Sequence, residues 1–204
     1  MNCKLMLGLV GMLVFGYVGA RAGEVANLTL GNLQKAYQVE SSAKVQFEAF
    51  ASQADKEGFK SVATLFRAAA KSETIHADKH AVMIKKLGVA PTWVAGKLEV
   101  KTTKENLEAA MQGKVTEKDT LYPGFIQQAK VDKHGGAEMS FMGASAAAGA
   151  QMEIFKKVLS RLDDWKSAGK TFGVCTVCGF VVMGPPPAKC PICSAPKDKF
   201  EIFK

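Results

Sequence analysis

The chain has 204 residues, 23% of them charged, with 27 Lys and Arg against 19 Asp and Glu for a formal net charge of +8. The basic residues form no dense run interleaved with aromatics, which argues against a nucleic-acid-binding surface. A mildly basic surface instead suits an acidic redox partner or anionic lipid.

The first residues carry Lys4, then an uninterrupted apolar stretch from Leu5 to Ala20, and end in Ala20-Arg21-Ala22 before Gly23. That pattern predicts a secretory signal peptide over residues 1–22, cleaved after Ala22, and hence a periplasmic or otherwise exported protein. The apolar stretch is shorter than the roughly 20 residues a bilayer span needs, so no stable membrane span is expected after cleavage; a retained anchor is the alternative. No twin-arginine pair precedes it, which favours export as an unfolded chain and metal uptake afterwards. Cleavage removes Lys4 and Arg21, lowering the net charge from +8 to +6, and leaves enough chain for one good core plus a small second module.

Four segments then repeat apolar residues at helical spacing. The first runs from Leu30 to Lys56, with Thr29 as N-cap and Gly58 as stop, and lines up Leu33, Ala36, Glu40, Ala43, Phe47, Phe50 and Ala54. The second runs from Lys60 to Leu87, ended by Gly88 and Pro91, with Val62, Phe66, Ala69, Glu73, His76, His80, Met83 and Leu87 on its inner stripe. Residues 88–101 read as a longer crossover. Thr102 and Glu105 offer a capping box for the third helix, whose stripe is Leu107, Ala110, Lys114, Glu117, Leu121 and Phe125, and which Pro123 should kink or break. After Gly135-Gly136 the fourth helix carries Phe141, Ala144, Ala148, Gln151, Phe155, Val158 and Leu162. Two helical hairpins joined by one long crossover make a ferritin-like four-helix bundle, expected over residues 23–168, and two separable hairpins make a homodimer by exchange possible.

The hairpins repeat each other. Asn32-Leu33-x-x-Ala36 matches Asn106-Leu107-x-x-Ala110, and Phe66 with its Ala-rich continuation matches Phe141 with its own. The same alignment pairs Glu40 with Lys114, Glu73 with Ala148 and His76 with Gln151. Six charged or ionisable residues, Glu40, Glu73, His76, His80, Lys114 and Glu117, fall on core-facing stripes, where an uncompensated charge would cost several kcal/mol. Glu73-x-x-His76 puts a carboxylate and an imidazole one turn apart on one face, and Glu40 and Glu117 come from facing stripes, the way bundle cores build carboxylate metal sites. Three glutamates against Lys114 leave a charge of −2, which suits one divalent ion and not two. A metal-free buried ion network is the alternative. His80 reads as a hydrogen-bonded core histidine and His134 as exposed.

The last segment, residues 169–204, carries Cys175-x-x-Cys178 and Cys190-x-x-Cys193. Two disulfides are one reading of four cysteines in an oxidising compartment. The spacing favours the other, four thiolates around one tetrahedral metal, and this short segment has too few apolar residues for a core without such a staple. Folding and metal binding should then be coupled. Neither pair is followed by His, which excludes c-type haem attachment.

The stretches Val39-Glu40-Ser-Ser-Ala43, Leu65-Phe66-Arg67-Ala-Ala-Ala70 ahead of Glu73-x-x-His76, Asn106-Leu107-Glu108-Ala109-Ala110 and Leu121-Tyr122-Pro123-Gly-Phe125, with Cys175-Thr-Val-Cys178-Gly179 and Cys190-Pro191-Ile-Cys193, resemble the rubrerythrin family across the chain that remains after cleavage. The resemblance implies a mainly α protein, a ferritin-like four-helix bundle followed by a small rubredoxin-like metal-binding domain. It implies iron on Cys175, Cys178, Cys190 and Cys193, Glu40, Glu73, His76 and Glu117 as bundle ligands, a redox partner protein, and reduction of hydrogen peroxide. The chain departs from the family pattern where Lys114 replaces a Glu and where Ala148-Gly149-Ala150-Gln151 replaces a second ExxH, so at most one bundle iron is expected and peroxidase activity is in question. Ser194 also stands where a Gly is common. The other readings are a non-catalytic electron-transfer or metal-carrying protein, and a structural protein with zinc on the cysteines.

Overall fold

Gly58, at φ +82°, ends the first helix and Gly88, at φ +78°, ends the second, as a helix terminates where the chain turns left-handed. The computed structural model describes residues 22–167 and 169–204, with side chains from Leu28 onward. The segment read as an export signal lies outside the described residues, apart from the backbone of Ala22. Among the described residues no helix is long and apolar enough to cross a membrane.

Helix α1 spans Ala22–Lys56, α2 Lys60–Lys86, α3 Thr103–Thr116, α4 Tyr122–Val131 and α5 Gly135–Ser160. The start of α1 corrects the sequence expectation. Thr29 is not a cap but lies inside the helix, fully buried, where its hydroxyl donates to Asp132 Oδ2 at 2.5 Å and ties α1 to the end of α4. Nothing between Ala22 and Thr29 interrupts the helix, and the Thr hydroxyl is engaged by a tertiary acceptor instead of capping a helix end. The capping box at Thr102 forms as expected, with Glu105 N–H on the Thr102 hydroxyl and the Glu105 carboxylate on the Thr102 N–H.

Pro123 does not simply kink a continuous helix. Between α3 and α4 the backbone widens into a π turn at Glu117–Leu121, closed by Tyr122 N–H on Glu117 C=O. Pro123 brings no N–H to the ladder and crowds the carbonyl four residues back, that of Asp119, inside this turn. The extra residue shifts the phase of the inward face. Tyr122 is fully buried while Leu121, the stripe position at regular spacing, is only half-buried.

Two apolar clusters fill the bundle. One gathers Phe47, Phe50, Phe66 and Phe155, whose rings lie 5.4 to 6.4 Å apart between centroids where they neighbour. The other gathers Leu33, Ile84, Tyr122 and Phe141. Between them in chain position, on α1, α2, α3, the turn after α3 and α5, lies a buried polar layer of Glu40, Glu73, His76, His80, Lys114, Glu117 and Gln151. The crossover after α2 docks on α1 through polar side chains, with Gln34, Gln38 and Ser42 bonding to Ala90, Val94 and Trp93.

The C-terminal module is an antiparallel sheet in the order β2-β1-β3, formed by β1 Phe172–Cys175, β2 Val181–Met183 and β3 Phe200–Phe203. Phe172, Val174 and Val181 join the first apolar cluster of the bundle, so the module packs on α2 and does not stand apart. Ser61 donates to Ser167 C=O at 2.6 Å and Lys60 N–H to Lys166 C=O at 3.0 Å, fixing where the chain leaves the bundle.

Candidate metal centres

The two CxxC turns are built alike. Gly179 N–H bonds Cys175 C=O at 2.8 Å and Ser194 N–H bonds Cys190 C=O at 2.9 Å, each closing a tight knuckle. Gly179 sits at φ +82° and Ser194 at φ +60°, so the serine adopts the left-handed conformation that glycine reaches without strain. The four sulfurs lie within 4.8 Å of one another, with Cys175 to Cys193 at 3.6 Å and Cys178 to Cys190 at 3.5 Å. All four are free thiols, which sets the disulfide reading aside. A tetrahedral metal with bonds of about 2.3 Å requires sulfurs about 3.8 Å apart, so the cage fits. Burial pushes the Cys175 and Cys178 thiols up, although backbone N–H groups aimed at the sulfurs work in the opposite direction. At Cys193 the same burial effect is outweighed by the Ala195 N–H and the neighbouring cysteines, which hold it below the usual thiol range.

In the bundle, α1 supplies Glu40, α2 supplies Glu73 and His76, α3 supplies Lys114, and the π turn swings Glu117 inward. All five are at most 5% exposed. Lys114 Nζ donates to Glu73 Oε2 at 2.9 Å and to Glu117 at 2.9 and 2.7 Å, and stands 3.9 Å from Glu40 Oε2. Glu40, Glu73 and His76 can bring one ligand atom each within 4.8 Å. His76 Nδ1 is 3.8 Å from Glu40 Oε2 and 3.6 Å from Glu73 Oε2, near the edge length of about 3.4 Å for a tetrahedral ion with bonds near 2.1 Å. Glu40 Oε2 is buried with no hydrogen-bond partner. An orphaned carboxylate oxygen beside an imidazole nitrogen and a second carboxylate is a donor set for one hard or borderline cation. Glu117 faces differently, with both oxygens on the Lys114 ammonium.

Electrostatics follow from the burial. Burial, reinforced by the charges of Glu73 and Glu117, pushes Glu40 up to about 8. At Glu73 burial is outweighed by the Lys114 ammonium and by the neighbouring Glu40 and His76, which hold the carboxyl well below its usual range. Burial would lower His76, but the carboxylates of Glu40 and Glu73 beside it raise it to about 10. Burial raises Glu117, opposed by Lys114. The three carboxylates lift the Lys114 ammonium above the ordinary lysine range despite its burial.

Around this set lie residues that periodicity alone did not mark as functional. The Tyr122 hydroxyl donates a short hydrogen bond to Glu40 Oε1. His80 is no ligand: its Nδ1 is 2.9 Å from Ser140 Oγ, its Nε2 is 3.5 Å from the Tyr122 hydroxyl, and burial holds it down at about 3. Gln151 Nε2 donates to Glu73 Oε1 at 2.8 Å and to Ser72 Oγ at 2.9 Å, so the residue aligned with His76 in the repeat steadies a carboxylate. His134 is half-buried, not exposed, and its Nδ1 accepts from Ala137 N–H as the N-cap of α5. The phase shift at the π turn concealed Tyr122, although Pro123 was the signal for it.

The two centres touch through His76. Because a carbonyl can only accept, His76 Nε2 donates to Cys178 C=O at 3.1 Å, leaving Nδ1 facing the carboxylates. The Ser72 hydroxyl donates to Gly179 C=O at 2.5 Å. A Cβ on Gly179 would run into His76 Nε2, so only glycine allows this approach.

Comparison with known proteins agrees with this architecture. Residues 31–158 match the rubrerythrin family, and residues 174–201 match its rubredoxin-like domain. The chain is 30% identical to rubrerythrin-2 of Clostridium acetobutylicum, covering 86% of this chain and 97% of that protein. It is 32% identical to a putative rubrerythrin of Methanocaldococcus jannaschii, covering 85% and 92%. Among solved structures it is similar to nigerythrin in a mixed-valence state, with a TM-score of 0.80 at 26% identity over the whole of both chains. A bacterioferritin of Mycobacterium tuberculosis shares the bundle fold, with a TM-score of 0.62 over 67% of this chain.

Proposed function

The chain belongs to the rubrerythrin family, and from that premise we propose that it is a non-haem iron redox protein in which the four-cysteine site serves a bundle site of one metal only. The observation that carries the proposal is His76, bonded to the Cys178 carbonyl through one ring nitrogen and facing Glu40 and Glu73 with the other. Nigerythrin has been solved fully reduced, all ferrous, which supports iron as the metal here. When bound, iron on four thiolates supplies one-electron chemistry, and iron in the bundle would supply the position where an oxidant reacts. Cys175, Cys178, Cys190 and Cys193 would hold the first, and Glu40, Glu73 and His76 the second, with Glu117 at reach through Lys114.

Reducing hydrogen peroxide to two waters takes two electrons and two protons. The residues present limit that reaction. Lys114 holds a permanent positive charge among Glu73, Glu117 and Glu40, where a second cation would otherwise balance them, and Ala148 offers no carboxylate. We therefore propose a role in handling oxidants with weak peroxidase turnover. Export, carried by the apolar segment before Ala22, belongs to the same proposal and is tested by N-terminal sequencing of the protein from a periplasmic fraction.

One observation favours a second reading. With Lys114 and His76 both protonated, Glu73 and Glu117 ionised and Glu40 neutral, the layer balances its own charge, so it is also suited to a metal-free ion network. Metal analysis after anaerobic reconstitution separates the two: one metal on the cysteines and one more in the bundle supports the proposal. Metal on the cysteines alone supports the network, and a colourless zinc-loaded cysteine site would reject the redox reading.

A further inference from the structure

The four cysteines are not equally placed. Cys175, Cys178 and Cys190 are at most 3% exposed, whereas Cys193 is partly exposed. The first knuckle is turned inward, its carbonyls at Cys178 and Gly179 held by His76 and Ser72 of α2. The second knuckle, Cys190-Pro191-Ile192-Cys193, is turned outward, with Pro191 and Ser194 exposed and Ile192 half-buried. Its base is closed by the bridge between Lys189 and Pro196 and by Lys197 N–H on Ala188 C=O at 3.1 Å, so Lys189 and Lys197 flank it.

Charge follows the same division. Residues 169–204 contain five lysines against Asp198 and Glu201. Both acids are countered, Glu201 by Lys71 at 2.8 Å and Asp198 by Lys199 at 3.9 Å. Lys189 and Lys197 are exposed and have no acidic partner among the described residues. The first knuckle presents Val177, 43% exposed, to an apolar groove of about 520 Å³ between α2 and α5, with the Cys178 side chain shut behind it.

We infer that the outward knuckle at Cys190–Cys193, ringed by Lys189 and Lys197, is the face on which an acidic one-electron carrier protein docks to reduce the cysteine-bound iron. The inference rests on the iron reading above. One electron leaves the reduced carrier, which is oxidised, and the iron passes from ferric to ferrous; no bond breaks and no proton moves. The inward knuckle is left for passage toward His76, so electrons would enter and leave by different knuckles.

The test uses the full iron-loaded chain, oxidised, mixed with a reduced acidic [2Fe–2S] ferredoxin as probe, following loss of the ferric–thiolate colour. The wild-type rate should fall steeply with added salt, and Lys189→Glu with Lys197→Glu should slow it about tenfold at low ionic strength. Reduction by dithionite should stay unchanged in that variant. Binding of the same ferredoxin to the zinc-substituted full chain should weaken by a similar factor, a readout that needs no electron transfer. Val177→Asp should alter neither by more than about twofold. A double variant that reacts and binds like wild type, or a Val177→Asp chain that is the one impaired, would overturn the assignment. Failure of dithionite to bleach the wild type would instead reject the iron reading, and the zinc-substituted binding would still decide the face.

Discussion

Replacing Lys114 by methionine keeps the length of the side chain and deletes its charge, leaving Glu73 and Glu117 without the ammonium that lies 2.9 and 2.7 Å from them. At an effective dielectric of about 20, each contact at that range amounts to roughly 6 kcal/mol of attraction. Returning the ammonium to water recovers much of this, because burying it was costly. Removing one partner of a buried ion pair costs about 3 to 5 kcal/mol net, and that is the loss expected here. The assay is denaturant unfolding of the protein with its cysteine site loaded and its bundle stripped by a mild chelator. Adding a divalent metal should restore more stability to Lys114→Met than to wild type, since the variant's layer carries one more negative charge and can hold a further ion. A variant as stable as wild type that takes up no additional metal would refute the idea that Lys114 stands in for a cation.

The converse change, Lys114→Glu with Ala148→Glu and Gln151→His, should add one metal per chain and raise peroxide turnover, measured by metal analysis and steady-state assay. Overpacking at the buried Ala148 should cost about 1 to 3 kcal/mol, so folding is checked first by circular dichroism. Gly179→Ala should collide with His76 and slow electron transfer into the bundle, read by stopped flow, while leaving the metal content of the cysteine site intact. The pH dependence of the chelated bundle has a definite sign. Glu40, raised to about 8, and His76, raised to about 10, both keep protons in the folded chain that the unfolded chain gives up at lower pH, so their stabilisation fades as pH rises. His80, lowered to about 3, contributes the opposite slope, lost as pH falls from about 6.5. The unfolding free energy from denaturant titration should therefore fall between about pH 6.5 and 8, at up to about 2.7 kcal/mol per unit, with the midpoint falling alongside it, and a loaded bundle metal should remove the fall by displacing both protons. A midpoint that rises over that interval would contradict the protonation pattern.

Much of the fold and of the site was legible in the sequence because burial and helical period act together. Glu40, Glu73, His76 and Lys114 sit on inward stripes of periodic helices, and the repeat between the hairpins exposed Lys114, Ala148 and Gln151 as the odd partners. The cysteine spacing made the second site readable without any fold. What escaped depends on geometry that a regular period cannot carry. The π turn before Pro123 moved the inward face from Leu121 to Tyr122, and with it the hydrogen bond to Glu40. Thr29 read as a cap because its partner, Asp132, is distant in sequence. The bond from His76 to Cys178 joins two modules about a hundred residues apart, and nothing local marks it.

One iron on four cysteines beside a bundle with a single metal, as proposed, fixes both an iron count and a spectrum. Mössbauer spectroscopy with iron quantitation, on the full chain reconstituted anaerobically with isotopically enriched ferrous iron and then oxidised, reads both. Two irons per chain are expected, one with the signature of a tetrathiolate and one a magnetically isolated site with oxygen and nitrogen ligands. Three irons per chain, two of them magnetically coupled, would contradict it.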